Sequence, residues 1–227
     1  EAIAVCAAIT AAEAYDNWFD RNEPLFISEL RAIETQLPET WTEGVDIGCG
    51  TGKFGERLGT SRGVEPSEPM AELARNRGIS VDHGTAEELP LTTDDVDLAA
   101  LLGVVGYVDD LEEVFAQLAR VVSPGGHAVV AFLRANGAFA ELYDTAADRG
   151  AYPATLDWET PYPLEMARKA TWRDVEAVLS GLRSVGFTDM TTVQTLTQPI
   201  EAAIETVESP STGHGEGSWI VVRARRQ

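Results

Sequence analysis

Five residues, Gly48-Cys49-Gly50-Thr51-Gly52, follow a short apolar run and precede a helix-compatible stretch that reaches Leu58. Glycines at that spacing let backbone approach a ligand where side chains would clash, and they bring ligand groups to the free amide donors of a helix start. Thirteen residues beyond Gly52, Glu65 ends a second short run. A carboxylate there can accept hydrogen bonds from both vicinal hydroxyls of a ribose. Loop and acid together point to a nucleoside-containing cofactor. Gly50, Gly52 and Gly55 also satisfy GxGxxG, but a dinucleotide fingerprint sets its first glycine straight after the strand, where Gly48 stands, and position 53 is lysine. A phosphate-binding Walker loop needs one more residue before Gly52-Lys53, and a Ser or Thr where Phe54 stands. A glycine turn with no ligand is the remaining reading, and the acidic partner argues against it.

Groups that could move a proton are fewer. His83 ends one expected strand and His127 opens another, positions that suit structural roles. His214 lies in Gly213-His214-Gly215-Glu216-Gly217, a loop that could overhang a pocket or face only water. Cys49 has no adjacent base to make it a nucleophile. Catalytic residues are therefore not assigned by the sequence, and Tyr107 and His214 are the two candidates.

Positioning the loop requires a strand behind it. Gly44 to Ile47 reads as that strand and Gly63-Val64-Glu65 as the next; Ser67 can N-cap a helix to Arg77, and Ile79 to Asp82 follows as a third strand. Asp97 to Leu102 is a buried strand, Leu111 to Val122 an amphipathic helix, and Pro124-Gly125-Gly126 a break before the strand Ala128 to Phe132. Strands alternating with helices imply a parallel sheet. Upstream, Tyr15, Trp18 and Phe19 share one helical face and Leu25 to Leu37 repeats apolar residues helically. Arg134 to Thr171, rich in aromatics and prolines, has no strand period and reads as a cover over the sheet edge. Trp172 to Val185 is a further helix, and Met190 to Thr197 with Ser218 to Ala224 make a closing antiparallel hairpin. The expectation is one doubly wound α/β domain: a helical cover over 1–43, a cofactor-binding core over 44–133, a variable substrate cover over 134–171, and a C-terminal helix and hairpin over 172–227.

The totals narrow the partners. A chain of 227 residues, 44% of them hydrophobic, can bury one substantial core. Its formal net charge is -20, and Lys53 and Lys169 are its only lysines. Phosphate binding relies on basic groups, so neither nucleic acid nor an anionic membrane is an expected partner. A neutral or cationic small molecule suits that charge better than an anionic one. The acidic excess also fits a salt-rich, halophilic cytoplasm, where molar salt shortens the Debye length to about 3 Å; an ordinary acidic protein from a GC-rich genome is the alternative. Folding that ignores KCl in circular dichroism would exclude salt adaptation. Cys6 and Cys49 are too few for a disulfide framework, and the apolar run Ala2 to Ala12 reads as a helix rather than a targeting segment, so a cytoplasmic location is expected.

Several stretches together resemble one family, the class I S-adenosylmethionine-dependent methyltransferases, in particular their small-molecule branch, which includes quinone-biosynthesis enzymes. Val45-Asp46-Ile47-Gly48-Cys49-Gly50-Thr51-Gly52 resembles its first motif, with Asp46 organising the loop near the methionine amino group. Glu65-Pro66-Ser67 with Met70 is similar to its ribose and adenine motif, and Gly84-Thr85-Ala86-Glu87-Glu88-Leu89-Pro90 to the segment over adenine. Val96-Asp97-Leu98 resembles the fourth strand, and Leu118 to Gly126 the helix-to-fifth-strand signature. Tyr15-Asp16-Asn17-Trp18 is similar to the front helix, in which Tyr15 would reach the cofactor's carboxylate and Trp18 is the more readily explained as core. The resemblance implies a Rossmann-like, seven-stranded, mostly parallel sheet with an antiparallel last strand, and S-adenosylmethionine as cofactor. It assigns cofactor contacts to Tyr15, Asp46, the loop Gly48, Cys49, Gly50, Thr51 and Gly52, then to Glu65, Pro66 and Met70, to Thr85, Ala86 and Glu87, and to Leu102 and Gly103.

Methyl transfer from a sulfonium is an in-line displacement, so alignment is the main task, worth up to about 7 to 11 kcal/mol in well-oriented systems. Ligands of such sheets sit outside the carboxyl ends of the strands, which places Val104 and Tyr107 near the methyl group. Tyr143, Tyr152, Trp158 and Tyr162 could line an apolar acceptor pocket or serve as packing. A nicotinamide-dependent oxidoreductase lacks its hydride-transfer pair here. A non-catalytic nucleoside-cofactor-binding module is the other alternative, favoured by the missing base.

Overall fold

The computed structural model describes residues 2–227, with side chains described from residue 11 onward, so Cys6 lies outside the described side chains. Two helices come first, α1 (Ala2–Arg21) and α2 (Glu23–Glu34). Then come β1 (Gly44–Ile47), α3 (Lys53–Leu58), β2 (Arg62–Val64), α4 (Glu68–Asn76), β3 (Ser80–Asp82) and β4 (Val96–Leu102). They are followed by α5 (Leu111–Val121), β5 (Val122–Leu133), α6 (Ala138–Arg149), α7 (Leu164–Lys169) and α8 (Val175–Ser184). The chain closes with β6 (Phe187–Thr195), α9 (Ile200–Ala203), β7 (Ser211–Thr212) and β8 (Trp219–Arg226).

The strands form one sheet in the order β3-β2-β1-β4-β5-β8-β6-β7. Neighbours from β3 to β5 pair in parallel, whereas β8 runs antiparallel to both β5 and β6. This is the expected doubly wound architecture with its C-terminal hairpin. Strand order reverses between β1 and β4, and the crevice outside the carboxyl ends of those two strands is where such sheets hold ligands.

Period-two alternation explains why the sheet is buried on both faces. Leu98, Ala100 and Leu102 of β4, with Val129 and Ala131 of β5 and Trp219 and Val221 of β8, pack on the side of α1, α2 and α6. Ala99 and Leu101, with Ala128 and Val130, and Ile220 and Val222, face α5 and α8 on the other side. Helix α5 buries Val114, Phe115, Leu118 and Val121, and its start is fixed by Asp110 Oδ1, which accepts from the Glu113 N–H at 3.0 Å. Asp174 caps α8 in the same way, accepting from Glu176 N at 2.9 Å. Losing one such cap costs about 1 kcal/mol.

Three details differ from the sequence expectation. The expected seven strands are joined by an eighth, β7, a two-residue edge paired to Val193 and Gln194 and too short to carry a hydrophobic period. Pro124-Gly125-Gly126 does not interrupt the chain before β5 but lies inside it, absorbed by a register shift opposite Val96 and Leu98. Ser67 holds the N-cap position of α4 without a side-chain cap bond, and Pro69 at N2 has no N–H to donate to it; the Ser67 backbone N–H donates to Glu65 Oε1. Among the described residues no helix is long and apolar enough to cross a membrane.

Candidate functional site

The loop after β1 is set by two glycines with left-handed backbone, Gly48 at φ +68° and Gly50 at φ +54°. A Cβ on Gly48 would stand 2.6 Å from Val104 Cγ2, so the loop lies directly against the exit of β4; a Cβ on Gly50 would meet nothing within 4 Å, so that side is open. The Gly48 and Cys49 N–H groups both donate to the Val64 carbonyl, at 2.7 and 3.1 Å. Glu65 then locks the arrangement: its Oε2 accepts from Gly50 N at 3.0 Å and its Oε1 from Ser67 N at 2.9 Å. Each carboxylate oxygen retains a further lone pair. Burial raises the Glu65 carboxyl above the usual carboxylate range, and the two N–H donors and neighbouring His83 pull it back.

Asp46 sits on β1 beneath this loop, only 2% exposed, and its Oδ1 has no partner among the described residues. Burial, reinforced by the Glu65 charge, pushes its carboxyl up to about 7. Thr51 Oγ1 is likewise buried without a partner. Unmatched buried polar atoms are costly; Thr51 belongs to the glycine loop, and the Asp46 carboxylate lies against Gly55 just beyond it, where a Cβ would stand 3.3 Å from Oδ2. The set fits S-adenosylmethionine, which carries hydroxyls for Glu65 and positive charge for the acids. Cys49 is buried, and its thiol is pushed up by burial and by Asp46 and Glu65, which leaves it inert as a nucleophile.

The other sequence candidates ring this point unevenly. Pro66 is exposed and Met70 half-buried at the start of α4. Beyond β3, Ala86 is buried, Thr85 is exposed, and Glu87 Oε1 accepts from Asp109 N at 3.0 Å. Helix α1 crosses in front, tied down by groups the sequence reading did not single out. Asp16 Oδ2 pairs with Arg77 Nη2 at 2.8 Å, and Arg77 Nη1 donates to the Thr51 carbonyl at 2.8 Å. Lys53 Nζ meets Asp20 at 2.6 Å and Asp16 at 3.7 Å. The lysine that disqualified the dinucleotide fingerprint is thus a clasp for α1.

That clasp holds Tyr15 beside a cavity at the end of β4. Leu102, Gly103 and Tyr107 line it, as do Trp18, Phe19 and Glu29 from the front helices and Tyr143 and Tyr162 from the cover. Phe54, Phe132, Trp172 and Trp219 complete its aromatic wall. The Tyr107 and Tyr162 hydroxyls share a hydrogen bond of 2.7 Å, and Tyr143 stacks on Tyr162 with ring centroids 4.9 Å apart. Burial pushes the Tyr107 hydroxyl up to about 12, the bond to Tyr162 acting against it. Burial, together with Tyr107, Glu29 and Glu65, raises Tyr15 well above its ordinary value. Of the four cover aromatics named from the sequence, Tyr143 and Tyr162 line the cavity; Tyr152 and Trp158 pack behind it, donating to the Tyr162 carbonyl at 2.7 Å and to Asn22 Oδ1 at 2.5 Å.

The histidines lie elsewhere. His214 is absent from the cavity wall, because the neighbouring Glu216 and Gly217 N–H groups are pinned on Gln194 Oε1 at 2.8 Å each. His127 pairs with Leu98 and Arg225 within the sheet, where burial and the two arginines on β8 lower its pKa. Glu29 was missed by the sequence reading, although its signal was present: it occupies the middle of the i, i+4 ladder Leu25-Glu29-Ile33, on the apolar face of α2.

Comparison with known proteins converges on one family. A sequence profile described as a methyltransferase domain matches residues 45–130. The crystal structure of an S-adenosylmethionine-dependent methyltransferase from Thermotoga maritima, described as a possible histamine N-methyltransferase, superposes with a TM-score of 0.80 at 32% identity, covering 94% of each chain. An uncharacterised protein of Methanocaldococcus jannaschii is 26% identical over 95% of this chain and 96% of its own. A ubiquinone biosynthesis O-methyltransferase of Rhizobium etli is 38% identical over 38% of this chain and 39% of its own. The glycine loop held by Glu65, the sheet order and these matches agree, and the chain belongs to the class I S-adenosylmethionine-dependent methyltransferases.

Proposed function

We propose that this chain transfers the methyl group of S-adenosylmethionine to a small molecule seated in the aromatic cavity. The observation that carries the reading is continuity: Tyr15 is within electrostatic reach of Glu65 on the cofactor side and lines the cavity on the other, and the end of β4 borders both. When bound, the cofactor supplies an electrophilic methyl carbon on a sulfonium. The chain's own groups do the rest. Glu65 receives the ribose hydroxyls, Asp46 and the loop amides face the methionine portion, and Met70 and Ala86 flank adenine. Tyr15 and Tyr107 narrow the passage at the end of β4, and the aromatic wall excludes water, so that positioning accounts for most of the rate.

Isothermal titration with S-adenosylmethionine, S-adenosylhomocysteine and NAD, in low and in molar KCl, tests the cofactor side. Saturable binding of the two sulfur nucleosides without NAD is expected, and binding of NAD alone would overturn the reading. Radiolabelled methyl transfer to a panel of neutral and cationic small molecules tests the acceptor side; transfer confined to protein or nucleic acid would refute a small-molecule acceptor.

A further inference from the structure

The cavity holds a group that no contact among the described residues accounts for. Glu29 is 7% exposed and forms no hydrogen bond or ion pair among the described residues. It stands on the cavity wall, where it is the only charged residue among the described residues that line it. The same wall carries the rings of Trp18, Tyr143, Tyr162, Trp172 and Trp219. A buried carboxylate with no partner costs several kcal/mol, so a fold that needed only packing there would place a leucine. A buried acid left unpaired on the wall of a cavity describes a ligand site.

The chemistry of the wall selects the ligand. A lone acid matches a cation, aromatic faces attract a cation further, and the described lining has no basic side chain to balance an anion. We infer that the methyl acceptor is a small amine bound in its ammonium form by Glu29 within the aromatic wall, with the carboxylate as the anchor for that nitrogen. This inference rests on the reading of the cavity as the acceptor site. Glu29 also suits the proton balance. As the ammonium N–H bond breaks, its electron pair stays on nitrogen as the lone pair an acceptor needs, the proton bonds to a Glu29 oxygen, and the carboxyl returns it to water once the product has left. Burial holds the Glu29 carboxyl up at about 8, within reach of an amine in its neutral and charged forms.

The test uses the intact protein saturated with S-adenosylhomocysteine and titrated with three probes of one shape: 2-phenylethylamine, 2-phenylethanol and 3-phenylpropanoate. The amine is expected to bind at least about tenfold more tightly than the alcohol, with no binding of the acid, and Glu29→Gln should abolish that preference, as expected for loss of one charge-assisted bond. Affinity for S-adenosylhomocysteine should be the same in both proteins, which separates this inference from the cofactor reading. An alcohol that binds as well as the amine, a preference that survives Glu29→Gln, or failure of all three probes on protein that binds S-adenosylhomocysteine would each overturn it. So would a Glu29→Gln protein that loses affinity for S-adenosylmethionine but not for S-adenosylhomocysteine, since the carboxylate would then be serving the sulfonium. Where thermal melting shows that Glu29→Gln fails to fold, Glu29→Leu replaces it under the same criteria.

Discussion

Glu65 carries two loads that a single substitution can separate. Its two oxygens accept from Gly50 N at 3.0 Å and from Ser67 N at 2.9 Å, and the same oxygens are proposed to receive the ribose hydroxyls. Glutamine keeps the shape but has one oxygen. If that oxygen faces Gly50, the amide nitrogen is turned toward the Ser67 N–H, donor against donor, and the reverse orientation fails at Gly50. One charge-assisted bond is worth about 1.5 to 3 kcal/mol, so Glu65→Gln should raise the dissociation constant of S-adenosylhomocysteine roughly 10-fold to 100-fold. It should also lower the melting temperature of the free protein, because the loop loses a tether. Titration calorimetry of both proteins against S-adenosylhomocysteine and its 2′-deoxyribose analogue completes a double cycle. If Glu65 accepts from the ribose, the two losses are not additive: the variant should discriminate between the ligands less than the original chain does. An unchanged dissociation constant, or equal discrimination in both proteins, would refute the role of Glu65 in ribose binding.

Gly48→Ala should destabilise the protein by about 1 to 3 kcal/mol and weaken cofactor binding, because its φ of +68° disfavours a Cβ that would also stand 2.6 Å from Val104 Cγ2; chemical denaturation and calorimetry read both effects. Arg77→Ala removes the pair with Asp16 and the bond to the Thr51 carbonyl, so α1 should loosen, with a stability loss of roughly 1 to 3 kcal/mol and faster hydrogen exchange in residues 11–21. Glu29→Gln should flatten the pH dependence of stability. With the carboxyl raised from 4.5 to about 8 in the folded state, the native chain holds a proton that the unfolded chain has already lost, so wild-type stability declines as pH rises through that window. The variant should therefore gain on wild type by up to about 1.4 kcal/mol per pH unit between pH 4.5 and 8, and a stability difference that stays constant with pH in urea melts would refute the raised pKa.

The sequence carried the sheet because its signals are local. Gly44 to Ile47 and Val96 to Leu102 are apolar runs with glycine exits, and the alternation of strands with amphipathic helices fixes a parallel order almost by itself. The turn of the glycine loop was legible for the same reason, since the left-handed backbone at Gly48 and Gly50 is written in one residue type at one spacing. What escaped were pairings between distant segments. Lys53 and Arg77 meet Asp16 and Asp20 across 33 to 61 positions, and no local pattern announces that. Tyr143 could not be told from Trp158 in advance, because both are aromatic residues of one cover; only the fold turns one ring into the cavity and sends the other to Asn22. Glu29 differs from these cases. An acid at the centre of an apolar ladder is a local contradiction that could have been read directly.

That contradiction has a pattern beyond one residue. Asp46, Glu65 and Glu29 are three acids with 2%, 6% and 7% exposure, and burial is the first cause of each raised carboxyl. Glu65 adds to the shift of Asp46, and both Glu65 and Glu29 act on Tyr15, so the three lie along one connected path from the glycine loop into the cavity. None of them forms an ion pair among the described residues, whereas Asp16 and Asp20, one helix away, are paired to Lys53 and Arg77. Glu208, the fourth buried acid among the described residues, is satisfied instead by the Thr197 N–H and hydroxyl and the Gln198 N–H, donors of a kind that Asp46 and Glu29 lack. A buried acid without counter-charge costs stability, as an ion or through the proton it takes up in its place, and on the readings proposed above a cationic cofactor and a cationic acceptor would supply the missing charge. Positive charge on the ligands and its absence from the wall are then two sides of one arrangement, in which stability forgone by the free protein returns as binding.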